Sequence, residues 1–281
     1  MSSSLLAAIL LAAVLHATWN FFAKRAGGSL TVLWLGALLS TVATIPVAIA
    51  VQVGKPLSMR GLAIGVGSGF VHCLYWWALA RMYRRGDISL AYPIARGSGV
   101  LGTAVGSALW LREPLSNLGA LGIGCVCGGV FALGYQRRLE PVRTRVVLLA
   151  LLTGLTITGY TLLDDRGVDT MAPAVYLAVE TGVGVALLSA FGWRRIRAAA
   201  PAVYRRHSRA VWVIGIGSPL TYLIILFAYS HGPVSYVSAV REFSVVIAAL
   251  LGAHYLKERI GVLRWIGIAL VVAGTVLIKL A

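Results

Sequence analysis

The stretch "AYPIARGSGVLGTAVGSALWLREPLSNLGALGIGCVCGGVFAL", residues 91–133, returns in altered form as "SYVSAVREFSVVIAALLGAHYLKERIGVLRWIGIALVVAGTVLI", residues 235–278. Arg96 falls opposite Arg241, Glu113 opposite Glu258, Gly122 opposite Gly267 and Gly129 opposite Gly274, each pair 145 residues apart. The long apolar runs between these charges make both copies membrane-spanning. Internal duplication of a hydrophobic unit is a mark of secondary transporters, which rock one repeat against the other around a site near the bilayer midplane.

The rest of the chain is of the same kind. Mean hydropathy is +0.85 and 59% of the residues are hydrophobic. Only 12% are charged, against about 25% in soluble proteins. A spanning helix needs about 20 apolar residues. Such segments can be read near 4–22, 30–51, 61–80, 88–110, 116–135, 146–163, 172–193, 210–229, 233–255 and 262–280. Backbone in lipid must satisfy its own hydrogen bonds, so they are helices. The apolar run "LLAAILLAAVL" near the start lacks a basic flank and a cleavage site, and reads as the first span rather than a signal peptide. The expected fold is an all-α membrane protein of ten transmembrane helices around a central cavity. Residues 1–138 form the first repeat and 144–281 the second, joined through "GYQRRLEPVRTR" (134–145). Five spans per repeat is an odd number, so the second repeat enters the membrane in the opposite sense and the repeats have inverted topology.

The net charge of +16 would suit nucleic acid, but its distribution argues otherwise. The odd-numbered connections hold 18 of the 25 Lys and Arg, and the even-numbered connections with the C-terminus hold five. Only Arg96 and Arg241 lie within spans. This is the positive-inside pattern, with the odd loops cytoplasmic and both termini outside. The strongest run, "RRIRAAAPAVYRRHSR" (194–209), reads as a topogenic loop beside anionic lipid. Cys73, Cys125 and Cys127 all lie in spans and read as small packing groups rather than metal ligands. No metal site and no cofactor motif is read.

Ionisable residues inside spans are costly and therefore functional candidates. Arg96 lies on the fourth span with Tyr92 and Ser89 along its face and Pro93 between them. Arg241 has the equivalent place on the ninth, one turn after Ser238. Two such arginines can converge at the pseudo-two-fold axis and bind a carboxylate or phosphate in bidentate fashion. Alternatively each is neutralised by a buried acid and holds helices together. Glu180, one turn from Tyr176, is the first candidate for proton coupling, and Glu242 the second. His16, Trp19 and Asn20 form a stripe on the first span that ends at Lys24, read as reaching for the interface. His72 and Trp76 share a face of the third span, beside Tyr75 and Trp77. With Tyr222 on the eighth span, these groups are candidates to line the cavity. Glu113 and Glu258, and Pro114, suit the first turn of the following helix and read as structural. Asp164, Asp165 and Asp169 in "LLDDRGVD" (162–169) read as solvated charges on a short loop rather than a metal site.

The segments "HATWNFFAKR" (16–25), "RRGDISLAYPIARG" (84–97), "ALWLREPLSNLGALGIGCVCGGV" (108–130), "HGPVSYVSAVRE" (231–242) and "LKERIGVLRWIGIALVVAGTVL" (256–277) resemble the drug/metabolite transporter superfamily, in its ten-helix branch with two EamA repeats. The resemblance covers essentially the whole chain. It implies two five-helix bundles around a cavity lined by spans 1–4 and 6–9, with spans 5 and 10 at the periphery. It implies export of amino acids and other metabolites, or exchange of sugar phosphates and nucleotide sugars. Sugar-phosphate members carry basic residues where Arg96 and Arg241 fall. Small multidrug relatives depend on an acid in the first span, which this chain lacks. Relatives are generally described with both termini in the cytoplasm, opposite to the charge count.

The expected function is that of a carrier for an amino-acid-like zwitterion or small organic anion, exported by alternating access and driven by a proton. It would sit as a multi-pass protein in the inner membrane. The partners are the small-molecule substrate, the lipid bilayer and protons, with no nucleic acid. A monomer suffices and a homodimer is possible. The alternatives are a flippase for a lipid-linked head group, a drug-efflux carrier, or a membrane subunit without its own activity. An enzyme is not expected, because the polar residues are scattered rather than gathered at one membrane face.

Overall fold

The computed structural model describes residues 1–54, 56–85, 88–134, 144–256 and 261–281. The expectations for Glu258 and for the repeat junction around 135–143 lie outside those residues, and so does that for the Ser89 side chain. The helices are Ser3–Arg25 (α1), Leu30–Gln52 (α2), Met59–Arg85 (α3), Ile88–Gly106 (α4), Asn117–Gly134 (α5), Thr144–Val168 (α6), Pro173–Tyr229 (α7), Val234–Arg241 (α8), Phe243–Leu256 (α9) and Val262–Leu280 (α10). No strand occurs among the described residues. Eight described helical stretches are long and apolar enough to cross a membrane.

Helix α7 runs 57 residues, but His207 inside it has non-helical φ and ψ of −127° and 26°. Neighbouring contacts reveal what happens there. Trp34 on α2 donates its indole N–H to Ser189 at 2.9 Å, while a Cβ built on Gly36 would stand 2.9 Å from Ile214 Cβ. A straight helix would separate residues 189 and 214 by about 37 Å. The run therefore folds back at the kink into two arms, 173–206 and 208–229, which meet the same turn of α2. The segment 194–209, expected as a loop, is helical apart from His207. Its alanines and arginines are strong helix formers, and all six of its arginines reach water from the helix. Arg194, Arg195, Arg197, Arg205, Arg206 and Arg209 are all exposed.

Helix α4 ends in a π-helical turn, Ser107–Leu111, closed by Arg112 in the left-handed conformation (φ 56°, ψ 35°). Glu113 and Pro114 then lie in the connection before α5, not in its first turn. Ser116 accepts the N–H of Gly119 at 3.0 Å and so caps α5. Glu113 reaches instead to the start of α8, where Oε1 accepts the Ser235 hydroxyl at 2.8 Å and Oε2 its N–H at 3.4 Å. Its charge thus complements the dipole of a helix in the other repeat. Tyr236 adds a second tie, its hydroxyl accepting the N–H of Ser116 at 3.2 Å.

Helices α5 and α10 pack through their glycines. A Cβ on Gly129 would stand 2.6 Å from the carbonyl oxygen of Gly267, and one on Gly267 would stand 2.8 Å from that of Gly129. Gly122 and Gly274 meet in the same reciprocal way, at 2.9 Å and 2.6 Å. Since Gly122 is equivalent to Gly267 and Gly129 to Gly274, exchanging the two helices maps one contact onto the other. That is the property of a two-fold interface. Small residues let the two backbones approach where lipid supplies no hydrophobic drive. Gly129→Ala forces backbone apart and is expected to destabilise the detergent-solubilised protein by about 1–3 kcal/mol. Gly128→Ala, with nothing within 4 Å of the added carbon, is the control. Thermal unfolding that treats the two alike would refute the close-packing account.

Candidate functional site

The buried polar residues collect where α1, α3, α6, α7 and α8 meet. Helix α6 runs to Val168, beyond the expected end at 163, and carries Asp164 one turn past Tyr160 on the same inward face. Asp164 is therefore fully buried, which corrects its reading as a solvated loop charge. Asp165 is partly buried and Asp169 is exposed, within 3.9 Å of Arg166. The carboxylate of Asp164 accepts three hydroxyl bonds. Ser68 and Tyr176 donate to Oδ1, Tyr176 at 2.8 Å, and Tyr222 donates to Oδ2.

His72 is held beside this carboxylate. Its Nδ1 lies 3.3 Å from Ser68 Oγ and 3.2 Å from Glu180 Oε1. Nδ1 also lies 3.2 Å from the Ser68 carbonyl oxygen, which can only accept. The imidazole stacks on Tyr160 with centroids 4.0 Å apart. Glu180 comes within reach because Gly69 lets α3 approach α7: a Cβ there would stand 2.6 Å from the Glu180 carbonyl oxygen. Arg241 completes the group from the end of α8. Its Nη2 donates to the Tyr160 hydroxyl at 3.3 Å, and its guanidinium carbon lies 5.7 Å from the centre of the Tyr222 ring. Tight i→i+3 bonds, from Glu242 N–H to Ala239 and from Val245 N–H to Glu242, interrupt the span just after Arg241.

The two intramembrane arginines have different surroundings. Arg96 is buried and donates from Nε (2.9 Å) and Nη2 to the two oxygens of Glu242. Glu242 is thereby engaged with Arg96, not with its neighbour Arg241. The repeat equivalent of Glu242 is Gly97, 145 residues earlier. A symmetric partner for Arg241 would have to come from that position, and glycine offers none. Phe131 fills the space instead, 2.6 Å from where a Cβ on Gly97 would stand. Arg241 is left with no carboxylate bonded to it among the described residues and with its Nε unpartnered.

A small cavity of about 50 Å³ opens between these groups, lined by His16, Trp19, His72, Trp76, Glu180, Tyr222 and Arg241 among others. It has room for a few waters. Three of the lining residues carry a buried polar atom without a partner: Trp19 Nε1, Arg241 Nε and Glu180 Oε2. Of the other sequence candidates, Arg96, Tyr92, Ser238 and Glu242 do not line it. Tyr92 is half-buried and packs against apolar neighbours. Ser238 is buried on α8. The Asn20 amide turns back to the His16 carbonyl at 2.9 Å, and Lys24 is exposed. The residues missed were Asp164, Tyr160 and Ser68. The i, i+4 spacing of Tyr160 and Asp164 was the available signal, obscured by ending the sixth span before the acid.

A larger cavity of about 1020 Å³ lies toward the arginine-rich end, between α2, α3 and the first arm of α7. Arg81, Arg84, Arg194 and Arg195 line it, with no acid among its described lining residues. Arg81 covers the Trp77 ring at 4.3 Å.

Comparison with known proteins agrees with the repeat reading. The model of the EamA-like transporter family matches residues 3–135 and again 144–280. One solved crystal structure aligns over 100% of this chain and 98% of its own with a TM-score of 0.77. At 18% identity that likeness carries the fold alone. A search of the curated proteins gave no match.

Proposed function

The chain belongs to the EamA-like transporter family, and from that premise we propose that it carries an amino-acid-like zwitterion by alternating access. Its ten crossings would be the eight apolar stretches, with α7 counted once for each arm, and α4. The reciprocal glycine contact of α5 and α10 supports inverted repeats about a shared two-fold axis. The reading places the carrier in the inner membrane, working as an exporter.

One observation carries the substrate class. Two unpartnered donors, Arg241 Nε and Trp19 Nε1, and one unpartnered acceptor, Glu180 Oε2, line a single buried cavity. Buried charged groups left without partners are costly. A carboxylate satisfies the donors and an ammonium the acceptor, so a zwitterion is the chemical complement of the site. His16, His72, Trp76 and Tyr222 supply its aromatic walls. Arg96 is proposed to brace α4 against Glu242 instead of touching substrate, which leaves Glu180 as the acid free to exchange a proton. The arginine-lined cavity is proposed as the face at which an anionic group first meets the carrier from the basic end.

Ligand-induced thermal stabilisation of the purified protein tests this. The panel holds neutral amino acids, organic anions, sugar phosphates, lipid head groups and quaternary cations. A ligand at a hundred times its Kd stabilises by about 2.7 kcal/mol. Neutral amino acids are expected to give the largest shift. Stabilisation confined to lipid head groups would favour a flippase, and stabilisation confined to quaternary cations would favour drug efflux.

A further inference from the structure

We infer that His72, Asp164 and Glu180 together hold one exchangeable proton in the empty carrier, and that the charge of the cargo sets how many protons travel with it. The inference rests on the transport reading above and on Arg241 as the contact for the cargo carboxylate.

The argument is one of charge and distance. One ligand atom from each of His72, Asp164 and Glu180 lies within 4.8 Å of the others, and all three residues are buried. The groups facing them can be followed helix by helix. Helix α1 brings His16, α2 the neutral Ser40, and α3 Tyr75. Helix α4 carries Tyr92, which packs behind Tyr75 and Tyr160, and Arg96, both outside the cavity lining, and α6 brings Tyr160. Helix α7 adds Tyr176, Tyr222 and Tyr229, and α8 adds Arg241. Arg96 and Glu242 cancel within their own ion pair. With the histidines and tyrosines neutral, Arg241 stands alone against the two carboxylates Asp164 and Glu180. One negative charge is in excess, and an uncompensated charge in the membrane interior is costly. A single proton removes it.

The seats for that proton are contiguous. His72 Nδ1 touches Glu180 on one side and the Ser68 hydroxyl on the other, and Ser68 donates to Asp164. The proton therefore belongs to the cluster and not to one residue. When a zwitterion binds, its carboxylate meets Arg241 and its ammonium meets ionised Glu180. The proton then stays in the His72–Asp164 half, and the loaded cavity is neutral again. The empty carrier returns with the same proton, so neutral cargo moves no net proton. A second carboxylate on the cargo requires one more proton from the water on that side. A second ammonium takes the place of the resident proton, which leaves to the water. Proton-driven export is thereby narrowed to charged cargo.

The test uses the full chain in liposomes at mildly acid pH, where diaminopropionate carries both ammonium groups and aspartate both carboxylates, with an internal pH dye and three probes of one skeleton: serine, aspartate and 2,3-diaminopropionate. Expected are about one proton entering per aspartate, none per serine, and about one leaving per diaminopropionate, with uptake indifferent to an imposed potassium diffusion potential. Uptake of either charged probe that follows the potential overturns the inference. Asp164→Asn and Glu180→Gln each remove the resident proton, so either variant should lose proton release with diaminopropionate. Wild-type release in either overturns it. Without any substrate, infrared spectra of protonated carboxyls and nitrogen NMR of the histidines should together find the cluster proton in purified wild-type protein at neutral pH. That proton found with no amino acid taken up would remove the substrate reading and leave the shared proton of the cluster standing. Its absence in wild type would overturn the inference whatever is transported.

Discussion

Arg241→Ala will abolish recognition of the carboxylate while leaving a folded protein. Truncating one partner of a buried charged contact costs about 2–5 kcal/mol. At about 1.4 kcal/mol per decade, affinity for the best neutral amino acid should fall by roughly 30-fold or more. The fold should survive because no carboxylate is bonded to Arg241 among the described residues, and the negative charge its loss leaves on Asp164 and Glu180 can be met by a second proton. Among the described residues its one hydrogen bond is to the neutral Tyr160 hydroxyl. Asp164 also keeps its three hydroxyl donors in the variant. Arg241→Lys should fall between, since it keeps the charge but loses the planar fork. Thermal shift with serine on wild type and both variants reads the effect, with size-exclusion profiles to report folding. Binding by Arg241→Ala at wild-type strength would move the site away from this guanidinium.

Much of this molecule was legible in the sequence, and the reason is the solvent. Lipid forces long apolar helices, so the segments near 4–22, 30–51 and 262–280 needed no tertiary information. The duplication was equally plain, and Gly122, Gly129, Gly267 and Gly274 do meet at the repeat interface. The fold-back at His207 was harder to place, because arginine and alanine favour helix wherever one face can reach water. In the site, the one-dimensional pattern identified costly residues but not their partners. Glu180 stood out because it lies mid-span. Asp164 did not, because "LLDDRGVD" looks like a loop until the helix is seen to continue through it. The difference between Arg96 and Arg241 depends on residue 97, a glycine whose meaning appears only when the repeats are superposed. Glu113 was recognised as structural, yet its partner lies at Ser235 in the other repeat, a pairing that spacing along one helix does not encode.

Arg96→Ala should act on stability where Arg241→Ala acts on recognition. Removing Arg96 strands the Glu242 carboxylate in the membrane interior, and breaking a buried pair in this way costs about 3–5 kcal/mol. Glu242→Gln should also destabilise, since it leaves the guanidinium unpaired. Replacing both, as Arg96→Met with Glu242→Met, removes both buried charges together. Such exchanges are often neutral or stabilising, so the double variant should recover most of the lost stability. The recovery separates the two roles that duplicated arginines can hold. If Arg96 only braces α4 against α8 and α9, the double variant will bind neutral amino acids as wild type does. If it recovers stability but not binding, Arg96 reaches the cargo in some state of the cycle. Its buried Nη1, which has no partner here, would be the atom that does so. Thermal unfolding of the four proteins, followed by serine binding on those that fold, distinguishes a duplicated site that stayed symmetric from one in which a single arginine kept the substrate.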